Sequence, residues 1–213
     1  MEPVCYIVGA CPPGPMAFVQ DCPSLIIAAD QGLRHLEKTG VVPDLIVGDF
    51  DSLGQVPSGE NVIQHPVEKD DTDMMLAVKT GLGRGCRTFV LYGGIGGRLD
   101  HTYANLQTLA YLSDHGARGY LLGDGFIATA WKDGTLDFPA GLTGPVSVFC
   151  PGEKAEGVTI EGLYYPLQNA VLTSGFPLGV SNQFTGVSAR VSVRKGTLLA
   201  MWQEAPASLL ERL

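Results

Sequence analysis

The sequence predicts an N-terminal Rossmann-like α/β domain with a mostly parallel sheet, followed by a C-terminal all-β sandwich. Two observations carry that prediction. Short apolar runs alternate with helical stretches from Val4 to about residue 125, the signature of βα units. From Ile127 onward the helical period disappears, and alternating segments spaced by Gly and Pro replace it. The change of character puts a boundary near 125–135, dividing the chain into 1–128 and 129–213. No flexible linker, internal repeat or low-complexity tract marks it.

Val4–Val8 reads as the first strand, closed by Gly9 and the turn cluster Pro12-Pro13-Gly14-Pro15. Leu25–Ala29 is the second, ending at Asp30-Gln31-Gly32. A helix follows with Leu33 and Leu36 on one face and Gly40 as its stop. Asp44–Gly48 is the next strand, and Asn61–Gln64 a further short one. Glu68 to Asp73 opens a helix through Met74, Met75, Val78 and Leu82. Arg87–Leu91 is an apolar strand that runs into a glycine-rich turn at 93–97. The helix after it extends to about Asp114, with Leu99, Tyr103, Leu106 and Ala110 at helical spacing. Tyr120–Leu122 is the last strand of the α/β region. The β region offers Thr135–Phe138, Val146–Phe149, Val158–Ile160, Ala170–Leu172, Ala189–Val193 and Leu198–Trp202.

With 213 residues, 45% hydrophobic and 17% charged, the chain has the composition of a soluble globular protein with a substantial core. Its net charge of −8 repels phosphate backbones, which argues against a nucleic-acid reader. An anionic substrate would have to be neutralised locally, by a metal or by a few placed cations. Five scattered cysteines without a C-x-x-C pair argue against a disulfide framework or a zinc site and fit a reducing cytosol. No apolar run reaches the ~18 residues of a membrane span. The N-terminus lacks the basic region of a signal peptide, so a cytoplasmic location is expected.

The chemistry concentrates in four places. In Asp44-Leu-Ile-Val-Gly-Asp-Phe-Asp-Ser52, an apolar run ends in Asp49 and Asp51. Extended backbone would point both carboxylates to one spot beyond the strand's carboxyl end, where open α/β sheets bind ligands. Close carboxylates call for a cation between them, and a hard divalent ion with phosphate oxygens suits them. The alternative is a solvated acidic turn with Asp51 or Ser52 as a cap. Asp70 and Asp73 stand three apart where a helix starts. They either share one side or complement the helix dipole behind a Thr72 or Asp71 cap. Lys69 is either a surface lysine or a phosphate contact. Gly93-Gly94-Ile95-Gly96-Gly97 precedes Arg98, Asp100 and His101. Glycines let backbone N–H groups approach an anion at a helix start, and Arg98 adds a fork of donors. Asn105, one turn on, can bond a ligand or the loop itself. Tyr164-Tyr165 and Ser181-Asn182-Gln183-Phe184 could together hold a flat heteroaromatic ring, or could be ordinary strand packing.

Asp-Phe-Asp-Ser, Lys-Asp-x-Thr-Asp, Gly-Gly-x-Gly-Gly-Arg-x-Asp-His and a distal Ser-Asn-x-Phe, in this order, resemble the thiamine pyrophosphokinase (thiamine diphosphokinase) family. The resemblance runs from Ala29-Asp30 to the final strands. It implies transfer of a diphosphoryl group from ATP to the hydroxyethyl oxygen of thiamine, giving thiamine diphosphate and AMP. It also implies an ATP- and Mg²⁺-binding α/β domain, a thiamine-binding β-sandwich, and a homodimer with thiamine near the subunit interface. By the matching motifs Asp49, Asp51 and Asp73 would hold Mg²⁺, with Asp70 close by. Arg98, Asp100 and Asn105 would line the nucleotide phosphate side, with Asp30, Lys69, Thr72, Gly94, Gly97 and His101 around them. Tyr165, Ser181 and Asn182 would contact thiamine. Two positions depart from the family pattern: Gln31, where a glycine is frequent, and Gln183, where Glu is frequent. Competing readings are a diphosphokinase for another alcohol such as a hydroxymethylpterin, a metal-dependent phosphohydrolase, and a nonenzymatic thiamine or nucleotide sensor.

Overall fold

Strand β1 (Val4–Val8) is hydrogen-bonded on both sides, parallel to β2 (Ser24–Ala29) and parallel to β5 (Thr88–Tyr92). All five of its side chains are buried. Tyr6 and Val8 enter one core cluster while Cys5 and Ile7 enter another, so the strand is covered on both faces. That explains why it reads as a continuous apolar run rather than as an alternation. The computed structural model describes residues 3–19, 24–51, 54, 56–66, 68, 70–123 and 125–213.

The parallel part of the sheet runs in the order β6-β5-β1-β2-β3-β4, with β3 at Leu45–Gly48, β4 at Val62–Gln64 and β6 at Arg118–Gly123. Helix α1 (Gly32–Thr39) ends at Gly40, whose left-handed φ of 72° makes the expected stop. Helices α2 (Asp73–Gly83) and α3 (Leu99–Asp114) contribute Met74, Ala77, Val78, Leu109 and Leu112 to the cluster on one sheet face. Leu36 of α1 joins the other.

The buried side of α3 differs from the expected one. Leu99 is 82% exposed and Tyr103 is 63% exposed, whereas Asn105, Thr108, Leu109 and Leu112 are buried. Burial begins only at Asn105. Periodicity alone selected the apolar stripe and could not show that the first turn of the helix is left uncovered.

Beyond β6 every strand pairing is antiparallel. Strand β7 (Phe126–Phe138) pairs with β6 through its first residues and with β12 (Ala189–Gln203) along its length, so position 128/129 falls inside a strand. Two segments read as separate strands, Ala189–Val193 and Leu198–Trp202, are one strand interrupted by a register shift between Val193 and Thr197. Arg190–Lys195 of β12 pair with β9 (Lys154–Glu161), and Leu199–Trp202 pair with β8 (Thr143–Phe149). The irregularity lets one long strand serve two partners in succession, as bulges commonly do. Strand β10 (Leu167–Thr173) adds to β9, and β11 (Gly179–Thr185) adds to β8. A five-residue helix, α4 (Pro206–Leu210), closes the chain, although no helical period was expected past Ile127. One turn is too short to produce a readable period.

The larger core cluster is continuous from Val4 and Val90 in the parallel region to Phe138, Phe184 and Trp202 in the antiparallel one. Phe138 packs edge-on against both Phe184 and Trp202, with ring centroids 5.1 Å and 5.3 Å away. Among the described residues no helix is long and apolar enough to cross a membrane. Truncating the 4%-exposed Phe138 to Ala leaves a void under Trp202. We expect Phe138→Ala to lower unfolding free energy by about 3–5 kcal/mol in urea titration, and a loss below about 1 kcal/mol would contradict this packing.

Candidate active site

Because β1, β2, β3 and β5 are mutually parallel, their carboxyl ends share one edge of the sheet. From β1 the chain builds outward through β2, β3 and β4 on one side, and through β5 and β6 on the other. Connections leaving in opposite directions open a crevice at that switch point. A cavity of about 420 Å³ lies there. Gly9, Ala10 and Cys11 line it after β1, Ala29, Asp30 and Gln31 at the end of β2, Asp49 and Asp51 after β3, and Gly93 after β5. The start of α2 adds Thr72, Asp73 and Met74, and α3 with its preceding residue adds Arg98, His101 and Asn105.

Asp49 and Asp51 do line one cavity, but not through strand alternation. Phe50, between them, has a left-handed φ of 63° and is 2% exposed. Asp49 Oδ1 accepts the Asp51 N–H at 3.2 Å, closing a tight turn. The pair therefore converges because the backbone coils around a buried Phe side chain. Gly48 is the last residue of β3 and has no left-handed torsion, but a Cβ on it would stand 3.3 Å from the Asp30 backbone. Its smallness lets β3 approach the end of β2, where Asp30 N–H donates to Val47 O at 2.9 Å.

At the start of α2, Thr72 is the N-cap, its Oγ1 accepting the Met75 N–H at 3.2 Å. Asp73 is the first helical residue and lines the cavity. Asp70 lies before the helix and is exposed, so helical spacing does not bring it beside Asp73. Asp71 pairs with Lys79 at 2.6 Å. Lys69 falls outside the described residues.

The glycine-rich turn is shaped by close contacts. A Cβ on Gly93 would lie 2.5 Å from Gly9 O and 2.6 Å from Cys11 O, at a φ of 64°, so only glycine fits. Asn105 is buried and donates from Nδ2 to Gly94 O at 2.8 Å, so its partner here is the loop. Gly96 N–H donates to Thr102 Oγ1 at 3.2 Å, leaving that amide engaged within the turn. Arg98 grips Asp100 bidentately, Nη2–Oδ2 at 2.6 Å and Nε–Oδ1 at 3.2 Å, and His101 N–H also donates to Asp100 Oδ1. The hydrogen-bonded guanidinium holds the Asp100 carboxyl below its usual range, and the carboxylate raises Arg98 in turn. Asp70, Gly94, Gly97 and Asp100 are not among the residues lining the cavity; Arg98, His101 and Asn105 are.

Among the described residues no group of three or more Asp, Glu, His or Cys side chains is gathered closely enough to form a metal cage. What the cavity offers is the carboxylates of Asp30, Asp49, Asp51 and Asp73 at its wall. Mg²⁺ is held through one or two carboxylates together with water and substrate phosphates, seldom by an all-protein cage. The donor set fits that ion.

The second predicted constellation lies on β11 and the bend before β10. Asn182 is 3% exposed and spans the Tyr165 peptide, donating Nδ2 to Tyr165 O at 2.7 Å and accepting Tyr165 N–H on Oδ1 at 2.9 Å. The same oxygen accepts the Gln183 N–H. Asn182 thus fixes the aromatic segment, where Tyr164 and Tyr165 meet edge-to-face at 4.8 Å and are both largely exposed. Tyr165, Leu167, Leu178, Val180 and Asn182 help line a cavity of about 360 Å³ that shares no residue with the first. Ser181 is absent from that wall; it is exposed, with a left-handed φ of 60°, and its N–H donates to Ser147 Oγ.

Sequence reasoning did not single out Ala10, Cys11 or Met74, and it used Gly9 only as a turn residue, while Gly93 entered as part of the turn read as an anion approach. The strand end at Gly9 was a usable signal, since any parallel strand beside the switch point presents its following loop to the crevice. Nothing in the sequence sets Cys11 apart.

The sequence model of the thiamin pyrophosphokinase catalytic domain matches residues 19–121, and that of the thiamin pyrophosphokinase vitamin B1 binding domain matches 135–198. A thiamine pyrophosphokinase of Bacillus subtilis is 27% identical over 183 residues, covering 83% of this chain and 86% of that protein. The crystal structure of a thiamin pyrophosphokinase family protein from Enterococcus faecalis superposes with a TM-score of 0.79 at 26% identity, covering 95% of this chain and 99% of that one. The thiamin pyrophosphokinase of Geobacillus thermodenitrificans superposes with a TM-score of 0.79 at 25% identity, covering 96% and 99%.

The Arg98–Asp100 pair makes a measurable prediction. A depressed carboxyl pKa means that the pair supports the fold fully above the ordinary carboxylate range and is lost as pH falls through the depressed value. By ¹³C NMR we expect Asp100 to titrate below its ordinary 3.8 and to return toward it in Arg98→Ala. A wild-type midpoint at or above 3.8 would contradict the pairing.

Proposed function

The chain belongs to the thiamin pyrophosphokinase family, and from that premise we propose how its own residues make thiamine diphosphate from thiamine. The observation that carries the reading is the meeting of Asp49, Asp51, Asp73 and Arg98 in one cavity at the carboxyl edge of the parallel strands. Four carboxylates, Asp30 included, and one guanidinium suit a polyphosphate accompanied by a cation, and suit an anion alone poorly.

In this reading the triphosphate of ATP lies in the cavity against the glycine-rich turn. Asp49, Asp51 and Asp73 would hold Mg²⁺ together with phosphate oxygens, and the ion would supply charge neutralisation to the polyphosphate. The thiamine hydroxyethyl oxygen attacks the β-phosphorus and loses its proton to solvent, the bond from that phosphorus to the α–β bridging oxygen breaks, and AMP leaves. The chain's contribution is orientation and electrostatics, which dominate phosphoryl-type transfer. Arg98 donates its planar fork to phosphate oxygens; to do so it exchanges Asp100 for the substrate, a swap between two anions that keeps the guanidinium paired. His101, Asp30 and Thr72 line the nucleotide side, and Lys69 and Asp70 belong to the same segment. Gly94 and Gly97 act through the turn's shape.

Thiamine is read as docking at the Tyr165–Asn182 cavity, where an exposed aromatic face suits a cationic heteroaromatic ring. Residues 1–128 then act as the Rossmann-like nucleotide unit and 129–213 as a β-sandwich for thiamine, built around the two-partner strand β12. The two cavities of one chain share no lining residue. We therefore place the working site between two copies in a homodimer, with the nucleotide from one and the thiamine face from the other. The enzyme is read as cytoplasmic, which suits ATP as the donor.

A product assay tests the reading. Protein, ATP, Mg²⁺ and thiamine should yield AMP and thiamine diphosphate together, only when thiamine is present. ADP formation, or phosphate release without thiamine, would overturn it. Asp49→Asn keeps the turn's hydrogen bond but removes a charge from the cavity. Its turnover should fall by about a hundredfold or more, the scale seen when one preorganised electrostatic group of an active site is lost. Near-normal turnover in that variant would remove Asp49 from the metal site.

A further inference from the structure

Four of the five residues in turn 93–97 are glycines, the residue type that loses most freedom on ordering. Such a turn keeps one shape only if something ties it. Gly96, at φ 104°, has both of its polar backbone groups held by side chains from different elements. Its N–H donates to Thr102 Oγ1 of α3 at 3.2 Å. Its carbonyl accepts the Cys11 thiol at 3.1 Å, from the loop after β1. Cys11 N–H also donates to Gly93 O at 3.0 Å, so that one residue grips the turn at two points. Thr102 Oγ1 further donates to Arg98 O at 3.5 Å, which connects the turn to the guanidinium-bearing residue of the cavity. Both side chains are half-buried. Cys11 lines the cavity, and Thr102 is not among its lining residues.

We propose that Cys11 and Thr102 are positioning residues that clamp Gly96 from its two sides and hold the glycine-rich turn, with Arg98, in the conformation that receives the nucleotide phosphates. The inference rests on the reading of this cavity as the phosphate site. A turn released from either side must be ordered again at each binding event, and that ordering subtracts from affinity. It does not change the groups that act on the reacting atoms, so the clamp bears on ATP affinity and leaves the saturated rate alone.

The test compares wild type with Cys11→Ala, Cys11→Ser, Thr102→Ala and the double alanine variant. Affinity for ATP in the presence of Mg²⁺ is measured by calorimetry, and kcat and the KM for ATP by the product assay. Each alanine variant should weaken ATP binding roughly fivefold, the effect of one lost hydrogen bond, and raise KM with kcat unchanged. Serine at 11 donates the same bond and should restore affinity. Because both side chains hold the same residue, through its two flanking peptide groups, the double variant should bind more tightly than the product of the single effects predicts. Wild-type affinity in both alanine variants, equal impairment of Cys11→Ala and Cys11→Ser, or strictly multiplicative effects would each overturn the clamp. A wild type that makes no calorimetric contact with ATP would instead overturn the nucleotide reading, and the clamp with it.

Discussion

The close approach of two chain segments at Gly9 and Gly93 governs the rest of this molecule. Strands β1 and β5 lie side by side, and their following loops run together: Gly9 N–H donates to Tyr92 O at 2.8 Å and Cys11 N–H to Gly93 O at 3.0 Å. A single methyl group at either glycine would meet backbone oxygen at 2.8 Å or less. That contact keeps the floor of the crevice narrow and sets where the glycine-rich turn begins. The turn in turn sets where α3 starts, and so where Arg98 and Asn105 stand. The acidic wall opposite depends on the same sheet edge, because β2 and β3 end there too.

Electrostatically the site is a concentrated version of the whole chain. The protein carries a net charge of −8, yet its proposed substrate is a polyanion. The arrangement places carboxylates where a cation can share them, and it pairs Arg98 of the cavity wall with Asp100, which lies outside that wall. An unpaired guanidinium would attract any anion; one already engaged by a carboxylate yields only to a ligand that offers comparable oxygen geometry. In the proposed reading, selectivity for phosphate would come from exchange between partners.

The antiparallel region is joined to the parallel one without a break in either hydrogen bonding or core. Strand β7 passes from β6 into the second region, and Val90, Phe138 and Trp202 belong to one apolar cluster. This continuity makes the relative placement of the two cavities a property of the fold. It also explains why residues near 128 show no linker composition: they are the middle of a strand, with Ile127 and Ala128 buried.

What the sequence alone determined is the set of local facts that depend on residue type and spacing. The parallel strands, the Gly40 helix stop, the Thr72 cap as one of two alternatives, and the motifs that carry the family resemblance were all legible, because backbone propensity and apolar periodicity act over a few residues. The tertiary structure decided the rest. Asp49 and Asp51 converge through a left-handed Phe50 buried in the core, which alternation could not reveal. Asn182 spends its amide on the Tyr165 peptide, and Asn105 on Gly94, because each is buried beside a backbone that requires partners. Cys11 gains its place only when β1 and β5, more than eighty residues apart in sequence, become neighbours in the sheet. Such contacts are set by where strands pair and what they bury, and no short window of sequence contains that information.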